Sequence, residues 1–203
     1  MRKGFTVGLL GGSFNPAHGG HRKMSVAALE RLGLDEVWWL VSPQNPLKPV
    51  AGMAPLKARI ASGRAVARHP RIRVTGIEAE LGTQLTIDTI QALKRRYPQV
   101  RFLWLMGSDN LMQFHRWADW REIARQVPIV VMARPLYVGR SQFAPAMGWL
   151  RRWRHGNPAG WRTWRLPGLA LVNFGLDQRS ATAIRRADPD WADDILLQQD
   201  TPD

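Results

Sequence analysis

The chain has 203 residues, 45% of them hydrophobic, which suits one domain with a sizeable core. No apolar run reaches the ~18 residues that a membrane span needs, and the short basic and apolar start is not a secretory signal. With 29 Lys and Arg against 16 Asp and Glu, the net charge is +13, which suits a polyanionic partner: nucleic acid, an anionic surface or a phosphorylated small molecule. The absence of cysteine excludes disulfides and thiolate metal sites and is expected of a cytoplasmic protein.

In chain order, apolar runs predict strands at 4–10, 36–41, 72–75, 100–106, 128–132 and 169–173. Helical patterns fall at 20–31, 53–68, 86–97, 117–125 and 181–186, with another after Pro189. This alternation predicts an α/β fold, a Rossmann-like doubly wound parallel sheet with its ligand edge at the strand C-termini. One domain over 1–203 is expected, with a core at 4–175 and a helical segment at 176–203.

Residues 8–21 read Gly-Leu-Leu-Gly-Gly-Ser-Phe-Asn-Pro-Ala-His-Gly-Gly-His. The first strand is expected to end near Leu10, where Gly11 and Gly12 let the main chain approach an anion. Ser13 and Phe14 follow in the turn. The helix after Pro16 points unpaired N–H groups and a partial positive charge at that anion. His18 and His21, about one turn apart, are expected on one helical face and within reach of one ligand. The pattern suits transfer from a nucleoside triphosphate, where charge builds on non-bridging oxygens. A zinc site is disfavoured, because no cysteine and no nearby acidic cluster completes the ligands.

The loop at 42–55 carries four prolines and reads by composition as a solvated surface loop; Asn45 and Lys48 lie in it. No Gly-x-x-x-x-Gly-Lys-Ser/Thr is present, which argues against a P-loop NTPase. From 105 to 120, Gly107 allows close approach of a ligand, Asp109 can accept from ribose hydroxyls, and Trp117 is either a stacking platform or a core residue. Between 140 and 165 arginine interleaves with tryptophan. That reads as an amphipathic surface helix with inward tryptophans, or as a single-strand nucleic-acid surface. Near the end, Ser180 is a suitable N-cap, Thr182 follows, and Arg185 offers a planar fork to phosphate.

These segments resemble the nucleotidyltransferases with a Gly-Gly-Ser/Thr-Phe-Asp-Pro-x-His-x-Gly-His signature, here Gly11, Gly12, Ser13, Phe14, Asn15, Pro16, His18, Gly20 and His21. Asn15 stands where the family more often has Asp. The second signature, Ser-x-Thr-x-Ile-Arg, matches Ser180, Thr182, Ile184 and Arg185. The run at 105–120, Thr86 and Ala133-Arg134-Pro135 resemble the nicotinate-mononucleotide adenylyltransferases within that superfamily; Leu85 stands where those relatives often have Tyr.

The resemblance covers 4–186 and implies AMP transfer from ATP to nicotinate mononucleotide, giving deamido-NAD and pyrophosphate in NAD biosynthesis. It implies that His18, His21 and Arg185 are catalytic. ATP would meet Gly11, Gly12, Ser13, Phe14, Gly107, Asp109, Ser180 and Thr182 as well. Asn45, Lys48, Thr86, Trp117 and Arg134 would meet the mononucleotide. Mg²⁺ would be held mainly by substrate phosphates, with no metal cage in the chain. The resemblance leaves monomer and homodimer open. A sister transferase with another phosphorylated acceptor, such as phosphopantetheine, or with CTP is the nearer alternative. A basic RNA-binding module is the distant one, and neither a nucleic-acid nor a membrane partner is expected.

Overall fold

The computed structural model describes residues 3–44, 51–133, 142–175 and 180–197. Six strands, β1 (Thr6–Gly12), β2 (Glu36–Val41), β3 (Ile72–Thr75), β4 (Arg101–Gly107), β5 (Ile129–Ala133) and β6 (Leu169–Asn173), form one parallel sheet in the order β3-β2-β1-β4-β5-β6. Such a sheet needs crossover connections. The helices α1 (Gly19–Arg31), α2 (Leu56–Ala67), α3 (Ile77–Leu81), α4 (Thr86–Arg96), α5 (Ser108–Gln113), α6 (Trp120–Gln126) and α7 (Met147–Leu150) all lie between strands. Two more, α8 (Ala181–Ala187) and α9 (Trp191–Leu197), follow β6.

Side chains alternate between the two faces of the sheet. Val7, Leu9, Trp38, Leu40, Phe102, Trp104 and Met106 join a core with α4, α5 and α6. Leu10, Val37, Trp39, Val41, Leu103 and Leu105 join the opposite core with α1 and the turn that carries Trp161. The doubly wound arrangement is the one expected. The strand order reverses between β1 and β4, so the ends of those strands open a crevice at the switch point. No described helix is long and apolar enough to cross a membrane.

Several boundaries differ from expectation. β1 runs through both glycines, with Gly11 beside Leu40 and Gly12 beside Val41, so the turn starts later than the apolar run suggested. The helix expected from 117 to 125 is present but starts later, at Trp120. α5 and a 3-10 turn (Phe114–Arg116) come first, Trp117 is extended, and α6 starts at Trp120 after Asp119 at φ +48°. Trp117 sets its ring edge-on to Phe114 at 5.4 Å and to Trp104 at 6.0 Å. The helix expected from 53 starts at Leu56, after Pro55.

The Arg/Trp stretch is not one amphipathic helix but α7 followed by short 3-10 turns. Trp161 is buried and donates to the Leu32 carbonyl at 2.9 Å, while Arg151, Arg152, Arg154 and Arg165 are exposed.

Candidate active site

A cleft of about 730 Å³ opens at the switch point. Its first wall is the turn from β1 into α1. His18 is the N-cap of α1, in extended backbone (φ −149°, ψ 166°), and not a helical residue as the spacing suggested. The pair forms a reciprocal cap. The Gly20 N–H donates to His18 Nδ1 at 3.2 Å, and the His18 N–H donates to His21 Nδ1 at 3.1 Å. The ring centroids lie 3.9 Å apart. A neutral imidazole that accepts at Nδ1 carries its proton on Nε2, so each ring is a defined donor.

The turn itself is strained and held. Phe14 sits at φ +47°, a left-handed conformation costly for a bulky residue. Its ring stacks on Trp39 at 5.1 Å and meets His21 at 4.8 Å, which fixes it. A Cβ on Gly11 would lie 2.7 Å from Trp104 Cη2. The glycine is therefore required by a tryptophan in the cleft wall.

Asn15 uses both ends of its amide. Nδ2 donates to the Gly52 carbonyl at 2.8 Å, and Oδ1 accepts from the Ala54 N–H at 3.2 Å. The first half of that pairing is closed to a carboxylate, which has no N–H to give.

The second signature meets the first here. Arg185 donates to the main-chain carbonyl of Asn15, 170 positions away, and to Thr182 Oγ1 at 3.3 Å. Ala181, Thr182 and Arg185 line the cleft beside Gly12, His18 and His21. Ser180 caps α8, accepting from the Ala183 N–H at 3.1 Å, and is not among the lining residues. Gly107 and Asp109, at the end of β4 and the start of α5, line the middle. The far wall is Leu85 and Thr86 at the start of α4, with Trp104 and Trp117. Asn45, Lys48 and Arg134 lie outside the described residues.

Two buried groups escaped the sequence reading. Arg59, 1% exposed, sits under the site with no carboxylate partner in the described structure. Its Nε donates to Ala54 O at 2.8 Å, Nη1 to Ser13 O at 2.9 Å and Ser42 O at 2.6 Å, and Nη2 to Pro43 O at 2.9 Å. Burial lowers its pKa. Glu78, 6% exposed, lines the cleft near α4 and is pushed up to about 7 by burial, against weaker opposing polar contacts with the Thr89 and Ser42 side chains. Its Oε1 accepts from Thr89 Oγ1 at 3.2 Å, and its Oε2 is buried without a hydrogen bond. Arg116 also lines the cleft. No metal-holding group of three His, Cys, Asp or Glu occurs among the described residues.

The cytidylyltransferase-like family matches residues 9–187. A protein of Erythrobacter litoralis, named probable nicotinate-nucleotide adenylyltransferase, is 58% identical over 188 residues, 91% of this chain and 85% of that one. Proteins given the same name from Cereibacter sphaeroides and Parvibaculum lavamentivorans are 54% and 50% identical, covering 88% and 91% of this chain and 96% and 93% of theirs. The solved Plasmodium falciparum nicotinic acid mononucleotide adenylyltransferase complexed with NaAD superposes with a TM-score of 0.66 at 15% identity, over 90% of this chain and 83% of that one, and so shares the fold.

Proposed function

The chain belongs to the cytidylyltransferase-like family, in its nicotinate-nucleotide adenylyltransferase branch, and from that premise we propose that this cleft transfers AMP from ATP to nicotinate mononucleotide in NAD biosynthesis. A 5′-phosphate oxygen of the mononucleotide attacks the α-phosphorus of ATP. The bond from that phosphorus to the bridging oxygen breaks, and pyrophosphate leaves with the electron pair. No side-chain nucleophile is needed, since a phosphate oxygen is already ionised at neutral pH. Catalysis rests on placement and on charge stabilisation.

The observation that carries this reading is the bond from Arg185 to the Asn15 carbonyl. It sets a guanidinium, the start of α1 and two histidine donors around one small volume. His18 and His21 would donate from Nε2 to the triphosphate of ATP. Arg185 and Thr182 would hold the β- and γ-phosphates, with Ser180 fixing the start of α8. Gly11, Gly12, Ser13 and Phe14 shape the phosphate side, and Gly107 and Asp109 face the adenosine. Thr86 and Trp117 would receive the pyridine mononucleotide, together with Asn45, Lys48 and Arg134.

The family works with a divalent metal. We take it to be Mg²⁺ entering with ATP and held mainly by the substrate phosphates, the usual manner for this ion with nucleoside triphosphates. Residues from both ends of the chain build this one cleft, so 1–203 is taken as a single catalytic domain.

The test is product analysis with ATP, Mg²⁺ and nicotinate mononucleotide: deamido-NAD and pyrophosphate should form in equal amounts. His18→Ala should lower turnover by about 10²-fold or more, as expected for a lost preorganised donor. Pyrophosphate release with phosphopantetheine but none with nicotinate mononucleotide would refute the assignment.

A further inference from the structure

The pyridine end of the cleft contains a buried acid that the transfer does not use. Glu78 lies on α3, a helix of five residues between Gly76 and Gly82. The neighbouring α4 starts at Thr86 without a side-chain cap, so its first N–H groups are available to an anion. Glu78 reaches this place through Thr89, whose hydroxyl lies 3.2 Å from Oε1 and 3.1 Å from the Leu85 carbonyl. An ionised carboxylate with one buried, unpaired oxygen is costly, whereas a protonated one loses little there.

Among the described residues no cation bonds the carboxyl of Glu78, although Arg116 shares the cleft wall. From the end of β2 comes Ser42, and from α4 come Thr89 and the exposed Asp88. From α2 comes Arg59, whose donors go to four main-chain carbonyls. On α3 itself Glu80 is exposed. None of the described cations pairs with Glu78. Lys48 lies outside the described residues.

We propose that Glu78 is a specificity-determining residue whose protonation state selects between an acid and an amide on the pyridine ring. Protonated, it leaves a neutral wall behind the ring, and the carboxylate of nicotinate mononucleotide sits against the start of α4. Ionised, it repels that carboxylate through the cleft wall and leaves a neutral carboxamide unopposed. The inference rests on the function proposed above. It also fits the raised pKa of about 7, which places the change inside the working range of an enzyme.

The test is the ratio of kcat/KM for nicotinate mononucleotide to that for nicotinamide mononucleotide, with saturating Mg²⁺ and ATP, from pH 6 to 8.5. Both substrates carry the same phosphate, so its titration cancels in the ratio. In the wild-type chain the ratio should fall about tenfold as pH rises, the factor that one pKa unit of coupling between two carboxylates represents. In Glu78→Gln it should stay flat at its low-pH value.

Thr89→Val provides a second handle should the first variant not fold. Removing a donor that favours the charged form should move the midpoint to higher pH, a shift that a merely structural role would not produce. A wild-type ratio flat with pH, or an unchanged slope in Glu78→Gln, overturns the inference and leaves the transferase reading standing. Absence of product from either mononucleotide with the wild-type chain overturns both.

Discussion

Arg59→Met removes a buried guanidinium of similar length and apolar stem, and its cost follows from the four carbonyls it leaves. Hydrogen bonds from a charged donor contribute at least about 1.5 kcal/mol each, so four represent about 6 kcal/mol gross. Two terms offset this. The variant avoids the desolvation that lowers the pKa of Arg59, and the Ser42 and Pro43 carbonyls, in a partly buried loop, can take up water. The Ser13 carbonyl is buried with its bond to Nη1 and cannot. The net loss should be about 3 kcal/mol, or about 150-fold in the folding equilibrium.

Urea unfolding followed by tryptophan fluorescence measures that loss. Steady-state kinetics should show a raised KM for ATP, because Ser13 lies in the turn that shapes the cleft and Arg59 holds its carbonyl. Arg59→Lys should recover only part of both, since an ammonium has three donors on one nitrogen and cannot span acceptors met by a planar fork. An Arg59→Met protein within about 0.5 kcal/mol of wild type, with an unchanged KM for ATP, would refute the reasoning; so small a change is usual for surface substitutions.

Two further outcomes follow from the same wall. Asn15→Asp replaces the donor to Gly52 O with a carboxylate oxygen facing that carbonyl. It should destabilise the fold by about 1–3 kcal/mol at pH 7, and by less in acid where the carboxyl regains a proton, as urea midpoints at two pH values would show. Glu78 has its pKa raised from 4.5 to about 7 in the folded chain, so the folded state binds more protons than the unfolded one across that window, and its stability falls as pH rises through it. The unfolding free energy of Glu78→Gln minus that of wild type should therefore grow by about 3 kcal/mol from pH 4.5 to pH 8, and a difference constant with pH would exclude the shift.

The parts legible in the sequence were those written in period and spacing. Alternating apolar residues in β1, β2 and β4 give the buried parallel sheet, because each strand must fill two cores. The glycine–histidine turn and the serine-capped helix were legible because a close turn and a helix cap need particular residue types at fixed positions. Arg59 was not legible. On a helix an arginine reads as solvent-facing, and only the fold places it between Ala58 and Ser62 on the buried face. Glu78 was hidden in a helix too short to show a period. The start of α6 was read at Trp117, which is extended, instead of at Trp120, because a boundary between a 3-10 turn and a helix leaves no period in so short a stretch.

The surplus of positive charge gains a local meaning from how these cations are held. Arg59 donates to four carbonyls, Arg185 to a carbonyl and a hydroxyl, and Arg22 to the Ala67 carbonyl. A carboxylate partner would fix a guanidinium equally well, but it would cancel the field. Carbonyl dipoles fix the geometry and leave the unit charge in place. Arg59 and Arg185 both grip the main chain of the turn at 13–15, so that turn is held from two sides by guanidinium groups that have no carboxylate partner among the described residues, beside the start of α1. A site arranged in this way attracts a polyphosphate before any contact forms, and it keeps that attraction in a low-dielectric cleft where screening is weak.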